Sequence, residues 1–183
     1  INKNSKAYEV LTNLSSTKNN IILDFNYTAS TRLILKQCGL SDEDIDNRLI
    51  KVHGEASNND IIFGVEDNAG IKKEHVFLRK AYNIKYKALN FSELYDRIKS
   101  VAIFGHSLGE TDHTYFNKLF QESCMYNKFS TNNNKEFWLF YYKENGYHCM
   151  MQQLDSLTHN SLTSFRQYNR VNFINTDKEK VFI

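Results

Sequence analysis

The sequence predicts an α/β protein: a three-layer, Rossmann-like fold in which helices cover both faces of a mostly parallel sheet. Three observations point there. Short apolar runs rich in β-branched and aromatic residues, at 21–27, 49–52, 61–64, 101–104, 136–142 and 171–174, alternate with stretches of helical periodicity, and such alternation builds parallel pairs through right-handed crossovers. Most runs end in glycine or a polar residue, the composition of an exit turn. No repeat and no Pro/Gly/Ser-rich linker interrupts the 183 residues, so 1–183 is expected to be a single α/β domain.

Taken in order, residues 6–14 place Ala7, Val10, Leu11 and Leu14 at helical spacing, a short amphipathic helix. Ile21-Ile22-Leu23-Asp24-Phe25-Asn26-Tyr27 is the first strand, and Ser30 and Thr31 before Leu33, Ile34 and Leu35 are natural helix N-caps. Ser41-Asp42-Glu43-Asp44 opens another short helix, its acids complementing the positive end of the macrodipole. Leu49-Ile50-Lys51-Val52 is a second strand closed by His53-Gly54, and Ile61-Ile62-Phe63-Gly64 a third. Residues 71–100 read mainly as two helices with a break at Asn90-Phe91-Ser92; the spacing is irregular at first and regular at Phe91, Leu94, Tyr95 and Ile98. A fourth strand, 101–104, leads into a helix over 112–127 with Tyr115, Phe116, Leu119 and Phe120 on its apolar side. After an Asn-rich loop at 130–135, Phe137-Trp138-Leu139-Phe140-Tyr141-Tyr142 is too aromatic for anything but a buried strand. A helix over 148–160 carries Met150, Met151, Leu154 and Leu157 inward, and 171–174 adds a last short strand.

Composition narrows the function. With 41% hydrophobic and 24% charged residues the chain is an ordinary globular sequence, able to bury roughly two-thirds of its extended surface. A formal net charge of +2 argues against a nucleic-acid partner, and the basic run Lys72, Lys73, Arg79, Lys80, Lys85, Lys87 reads as a solvated helix face. Cys38, Cys124 and Cys149 form no C-x-x-C pair and no metal-ligand cadence, so no metal is expected and a reduced, cytoplasmic compartment fits best. No apolar run approaches the roughly 18 residues of a membrane span, and no signal peptide opens the chain. Because the chain starts at Ile1 and stays polar up to Asn20, it is expected to be the carboxyl-terminal part of a longer protein, whose missing amino-terminal part is then a partner; assembly into a homo-oligomer is left open.

In an open parallel sheet ligands bind beyond the carboxyl ends of the strands. That rule collects Asn26, Tyr27, Thr28, His53, Gly54, Gly64, Gly105, His106, Ser107, Leu108, Gly109 and Asp112 on one edge. Two chemistries compete there. Gly105-His106-Ser107-Leu108-Gly109 fits G-x-S-x-G, a nucleophile elbow that needs a histidine and a carboxylate from among Asp112, His113, His148, Asp155 and His159; no glycine-rich loop supplies the second oxyanion donor. The other is a nucleotide site, in which the N–H groups of the same turn hold a phosphate and Asp112 accepts from a ribose. Asn26 suits ribose hydroxyls or an ordered water, and His53 before Gly54 is the best general base by type and place. A third class, a non-enzymatic sensor or interaction module, binds without reacting.

The ordered set Phe25-Asn26-Tyr27-Thr28, Val52-His53-Gly54, Ile62-Phe63-Gly64 and Phe104-Gly105-His106-Ser107-Leu108-Gly109-x-x-Asp112-x-x-Tyr115-Phe116 resembles the motif series of the AbiH family of bacteriophage abortive-infection proteins. The resemblance covers residues 21–120. The family's opening G-N-G-F-D segment is absent, in keeping with an expected fragment. The same order is distantly similar to sirtuin-like domains of antiphage defence. That likeness implies NAD or a related nucleotide as the small-molecule partner, cleaved at its N-glycosidic bond. It implies His53 as the residue acting on the ribose, with Asn26 beside the nicotinamide ribose. Tyr27, Thr28, Gly64 and His106 would then be further cofactor-binding residues, with Gly105, Ser107 and Asp112 on the adenosine side. The zinc-ribbon cysteines of protein-deacetylating sirtuins are missing, so deacetylation is not implied.

Overall fold

The computed structural model describes residues 2–17, 19–65, 69–82, 97–125 and 134–178. They fall in two compact units, Ile1–Ala88 with Val181–Ile183, and Leu89–Lys180.

In the first unit, α1 (Lys6–Ser15) starts at Ser5, whose hydroxyl accepts from Tyr8 N at 3.2 Å, as an N-cap should. β1 (Ile22–Asp24) is followed by α2 (Ser30–Gln37) and α3 (Asp42–Arg48), which runs without a loop into β2 (Leu49–Lys51). Helix α2 stops in a Schellman motif: Gly39 N donates to Lys36 O at 3.0 Å and Leu40 N to Leu35 O at 3.2 Å, closing the carbonyls the helix leaves open. Ser41 caps α3 through Asp44 N at 3.1 Å, with Asp42, Glu43 and Asp44 in its first turn. Arg48, in the last turn, ties α3 back to the first helix by donating to Leu14 O at 2.7 Å and, through Nε, to Asn20 Oδ1 at 2.8 Å. The buried core is Leu11, Ile34, Leu35, Ile45 and Leu49, with Tyr8, Leu14, Ile22, Cys38 and Leu40 packed against it. β1 and β2 pair in parallel, Ile22 opposite Leu49 and Asp24 opposite Lys51.

The expected third strand does not form among the described residues. Residues 61–65 are held instead by single contacts: Ile62 N donates to His53 O at 2.9 Å, and one parallel bridge joins Val65 to Arg79. The segment expected to be α-helical opens as 3-10 turns at Lys73–Leu78 and Lys80–Tyr82. Phe77, Leu78 and Tyr82 are exposed there, so no continuous apolar face exists for an α-helix to bury. Lys80 of the basic run is buried, not solvated, while Lys85, Lys87 and the break at 90–92 lie outside the described residues.

The second unit carries β3 (Ser100–Ile103), α4 (His113–Ser123), β4 (Glu136–Tyr141), α5 (Lys143–Leu157), α6 (Leu162–Tyr168) and β5 (Arg170–Asn175). The strands form one parallel sheet in the order β3-β4-β5, Ile103 opposite Leu139 and Leu139 opposite Phe173. Residues paired in register share a face, which puts Phe137, Leu139 and Tyr141 together with Val171, Phe173 and Asn175. Phe120 of α4 and Phe165 of α6 meet Phe137 with ring centroids 5.6 and 4.8 Å away, and Tyr147 of α5 meets Tyr141 at 5.2 Å and Phe173 at 5.4 Å. These ring contacts fall on one face of the sheet, one of the two layers expected to cover it. The protein is thus a mixed α/β structure with parallel strands, and among the described residues the strands form two small sheets where one was expected.

Boundaries moved for local reasons. α4 was expected from Asp112; a 3-10 turn at Glu110–Asp112 precedes it, because Asp112 turns its carboxylate to His106 instead of capping the helix. α5 begins at Lys143, five residues before the expected 148. α6 was not expected: its single buried anchor, Phe165, shows no periodicity in seven residues.

Candidate functional site

The carboxyl end of the β1–β2 sheet is built on a pair of opposite charges. Asp24 is 4% exposed, and its Oδ2 receives the Lys51 ammonium at 2.9 Å. Its Oδ1 accepts from Asn26 N at 2.9 Å and from Asn26 Nδ2 at 3.1 Å. Lys51 also donates to Thr28 O at 2.7 Å and to Asn26 O, and lies 4.0 Å from the buried Glu55. One lysine therefore fastens the whole Asn26–Tyr27–Thr28 turn to the neighbouring strand, and it supplies the counter-charge that the buried Asp24 carboxylate requires.

Two residues beyond Lys51, His53 is 5% exposed and sits between aromatic rings: Phe25 meets it edge-on with centroids 5.4 Å apart, and Tyr27 stacks at 6.0 Å. Tyr27 is in turn 5.4 Å from Phe63, which is 70% exposed. Asn26 and Thr28 are exposed, so this end of the sheet shows water a polar rim around an aromatic wall with a histidine behind it. Gly54 has to be glycine: at φ +74° a Cβ would stand 2.1 Å from Asp60 O. The same turn is closed by Asp60 Oδ1, which accepts from Glu55 N at 2.6 Å. Gly64 lies in the extended segment, against Leu78 O.

The turn after β3 is strained. Gly105 has φ +64° and Leu108, fully buried, has φ +55°, while Ser107 between them is exposed. Leu108 N donates to His106 Nδ1 at 2.9 Å, so in the neutral ring Nε2 carries the proton, 3.3 Å from Asp112 Oδ2. Phe116 packs edge-on against the same imidazole at 5.2 Å. His113 Nε2 faces Leu108 O at 3.0 Å and Gln153 Oε1 at 2.9 Å. Asp112 thus holds His106, His106 holds Leu108, and His113 holds Leu108 from the other side. His148 pairs with Glu144 and His159 with Gln121, and among the described residues no hydrogen bond joins the Ser107 hydroxyl to a histidine. A serine nucleophile needs that contact.

The residues expected on one edge therefore occupy the ends of strands in two sheets. Asn26, Tyr27, Thr28, His53 and Gly54 follow β1 and β2; Gly105, His106, Ser107 and Asp112 follow β3. Inside the first group Tyr27 meets His53, and inside the second His106 meets Asp112. Asp24, Lys51 and Glu55 were missed. Their signal was legible: Asp24 and Lys51 each interrupt an apolar run, and a charge inside a buried strand demands a partner.

No helix among the described residues is long and apolar enough to cross a membrane. Neither the curated proteins nor the solved structures include a significant match to the chain. A protein-family comparison does match, over residues 1–142, to the family described as bacteriophage abortive infection AbiH, and this stretch contains both strand-end turns. By that match over more than half of its length, the chain belongs to the AbiH family of bacteriophage abortive-infection proteins.

Proposed function

We propose that this abortive-infection protein acts in the cytoplasm on a nucleotide of the NAD type, bound at the carboxyl ends of parallel strands in a Rossmann-like three-layer fold, and that it cleaves the N-glycosidic bond. The observation that carries the reading is the convergence at the β1–β2 end: His53 buried between Phe25 and Tyr27, with the exposed Asn26 held by Asp24. Asn26 directs its NH2 to Asp24, which leaves its amide oxygen as an acceptor for a ribose hydroxyl or a water. His53, screened from bulk solvent, takes the proton as water adds to the ribose carbon and nicotinamide leaves; ADP-ribose, nicotinamide and one proton are the products. Tyr27 and Phe63 offer ring faces to a planar base.

The test is the full chain incubated with NAD, with and without extract of infected cells, and nicotinamide release followed by chromatography. The wild type is expected to consume NAD, and His53→Ala and Asn26→Ala to lose at least about a hundredfold in rate, in line with removal of a general base. Since His53 is buried, circular dichroism must first show each variant folded; Asn26→Ala, at an exposed position, serves if His53→Ala does not fold. Undiminished NAD with wild type, or equal consumption by folded variants, would overturn the reading.

A further inference from the structure

His53 lies at the inner end of a graded run of rings in the first unit. It is 5% exposed, Tyr27 stacked on it is 38% exposed, and Phe63 beside Tyr27 is 70% exposed. The Tyr27 ring is inclined by 28° to His53 and by 36° to Phe63, nearer parallel than the edge-on Phe25 contact at 75°. The main chain around these rings is pinned. Tyr27 O accepts from Ala56 N at 2.8 Å, Lys51 holds the carbonyls of Asn26 and Thr28, and His53 O accepts from Ile62 N at 2.9 Å, one residue before Phe63. The Tyr27 side chain has no such tie. Among the described residues its hydroxyl makes no hydrogen bond, and its ring contacts are with His53 and Phe63. Turning the ring about the Cα–Cβ bond therefore breaks stacking contacts but no hydrogen bond, and leaves the pinned backbone in place.

We propose that the Tyr27 ring is a gate over His53 and that Phe63 is its latch. A general base must come within hydrogen-bond reach of the proton it takes, and a histidine covered by an aromatic ring does not reach a ligand arriving from water. The shut gate keeps the imidazole out of contact; rotation of Tyr27 uncovers it. Only the open fraction binds productively, so the apparent affinity scales with that fraction. The shut state is held by ring contacts that are individually weak, which places the equilibrium where a ligand with a preference for the open state can shift it. What the gate admits rests on the reading of His53 as the base proposed above, whereas the cover that Tyr27 gives the imidazole rests on the ring geometry alone.

Carbethoxylation of the full chain by diethyl pyrocarbonate, read at each histidine by peptide mass spectrometry, tests the gate without any nucleotide. In the wild type His53 should react at least about tenfold more slowly than the exposed His148, the reference in every sample. Tyr27→Ala should raise the His53 rate at least about tenfold, and Phe63→Ala about two- to tenfold, the equivalent of one ring contact. Tyr27→Phe should leave it unchanged, since the hydroxyl holds nothing in place. Phe63 is exposed, so its removal spares the fold, and Phe63→Ala decides the matter if Tyr27→Ala loses the folded circular dichroism spectrum. A wild-type His53 as reactive as His148, an unchanged His53 rate in folded Tyr27→Ala or in Phe63→Ala, or a Tyr27→Phe rate as high as that of Tyr27→Ala overturns the proposal. Because the reagent needs no NAD, a chain that cleaves none still shows the gate if it exists, and a chain that cleaves NAD with His53 already open refutes the gate and leaves the cleavage standing.

Discussion

At the residue scale the most consequential side chain is Lys51. It makes three polar contacts with the neighbouring strand and its exit, and its principal partner Asp24 is buried, so removing the ammonium strands a carboxylate with no compensating charge. Lys51→Met is predicted to destabilise by about 3 to 5 kcal/mol, the range for breaking one side of a buried pair. Urea denaturation checks this, and a loss below about 1 kcal/mol would reclassify the contact as an ordinary surface pair. Neither charge was singled out from the sequence, although both were visible inside apolar runs; their meaning depends on the register that sets Asp24 opposite Lys51. His53 was legible because a histidine before a glycine at a strand end is conspicuous, but its aromatic surroundings were not, since Phe25, Tyr27 and Phe63 converge on it from separate segments. Cys124 is a quieter case: burial pushes its thiol up, and its Sγ donates to Phe120 O at 3.2 Å, a purely structural use.

At the scale of elements, α2 and α3 are tied by an ion-pair network at their exposed edge. Arg32 reaches Asp42 at 3.2 Å and also Asp46, and Lys36 reaches Asp42 at 2.8 Å. The Lys36 ammonium, together with Arg32, holds the Asp42 carboxyl below its ordinary value of 3.8, while Asp46, aided by Asp42, holds the Arg32 guanidinium above its own. A carboxyl lowered on folding contributes stability that is present above 3.8 and lost as pH falls through the folded value. Asp42→Asn should therefore melt below the wild type at neutral pH and low salt, and the gap should close on acidification below about pH 4 or in about 1 M salt. Melting curves across that range check it; a gap that persists at low pH would mean the asparagine damages the helix start instead. Elements with strong local signals, such as Ser41 capping three acids or the aromatic run of β4, were legible from sequence. Those resting on one anchor, α6 on Phe165 and the 3-10 turns at Lys73–Leu78, were not.

At the scale of the molecule, each unit carries its own buried apolar cluster. In the second unit Phe120, Phe137 and Phe165 are fully buried and mutually in contact, with centroids 4.8 to 5.6 Å apart. Phe137 is the member that belongs to the sheet, so Phe137→Ala empties the junction of β4 with both helices. The expected cost is about 3 to 5 kcal/mol, read as a lower urea midpoint at Trp138, the single tryptophan of the chain and the next residue along β4. An unchanged midpoint would show that the cluster does not govern the stability of this sheet. The sequence by itself determined the α/β class, the parallel sense of the pairing, most element positions and the family, since these follow from local periodicity, caps and the order of short motifs. Only the tertiary structure decided that the described strands form two sheets, that Asp24 and Lys51 meet, and that His106 serves Leu108 and Asp112 instead of Ser107. Those outcomes rest on contacts between residues whose pairing is set by register, burial and backbone strain, and none of these is written in the spacing of residues along the chain.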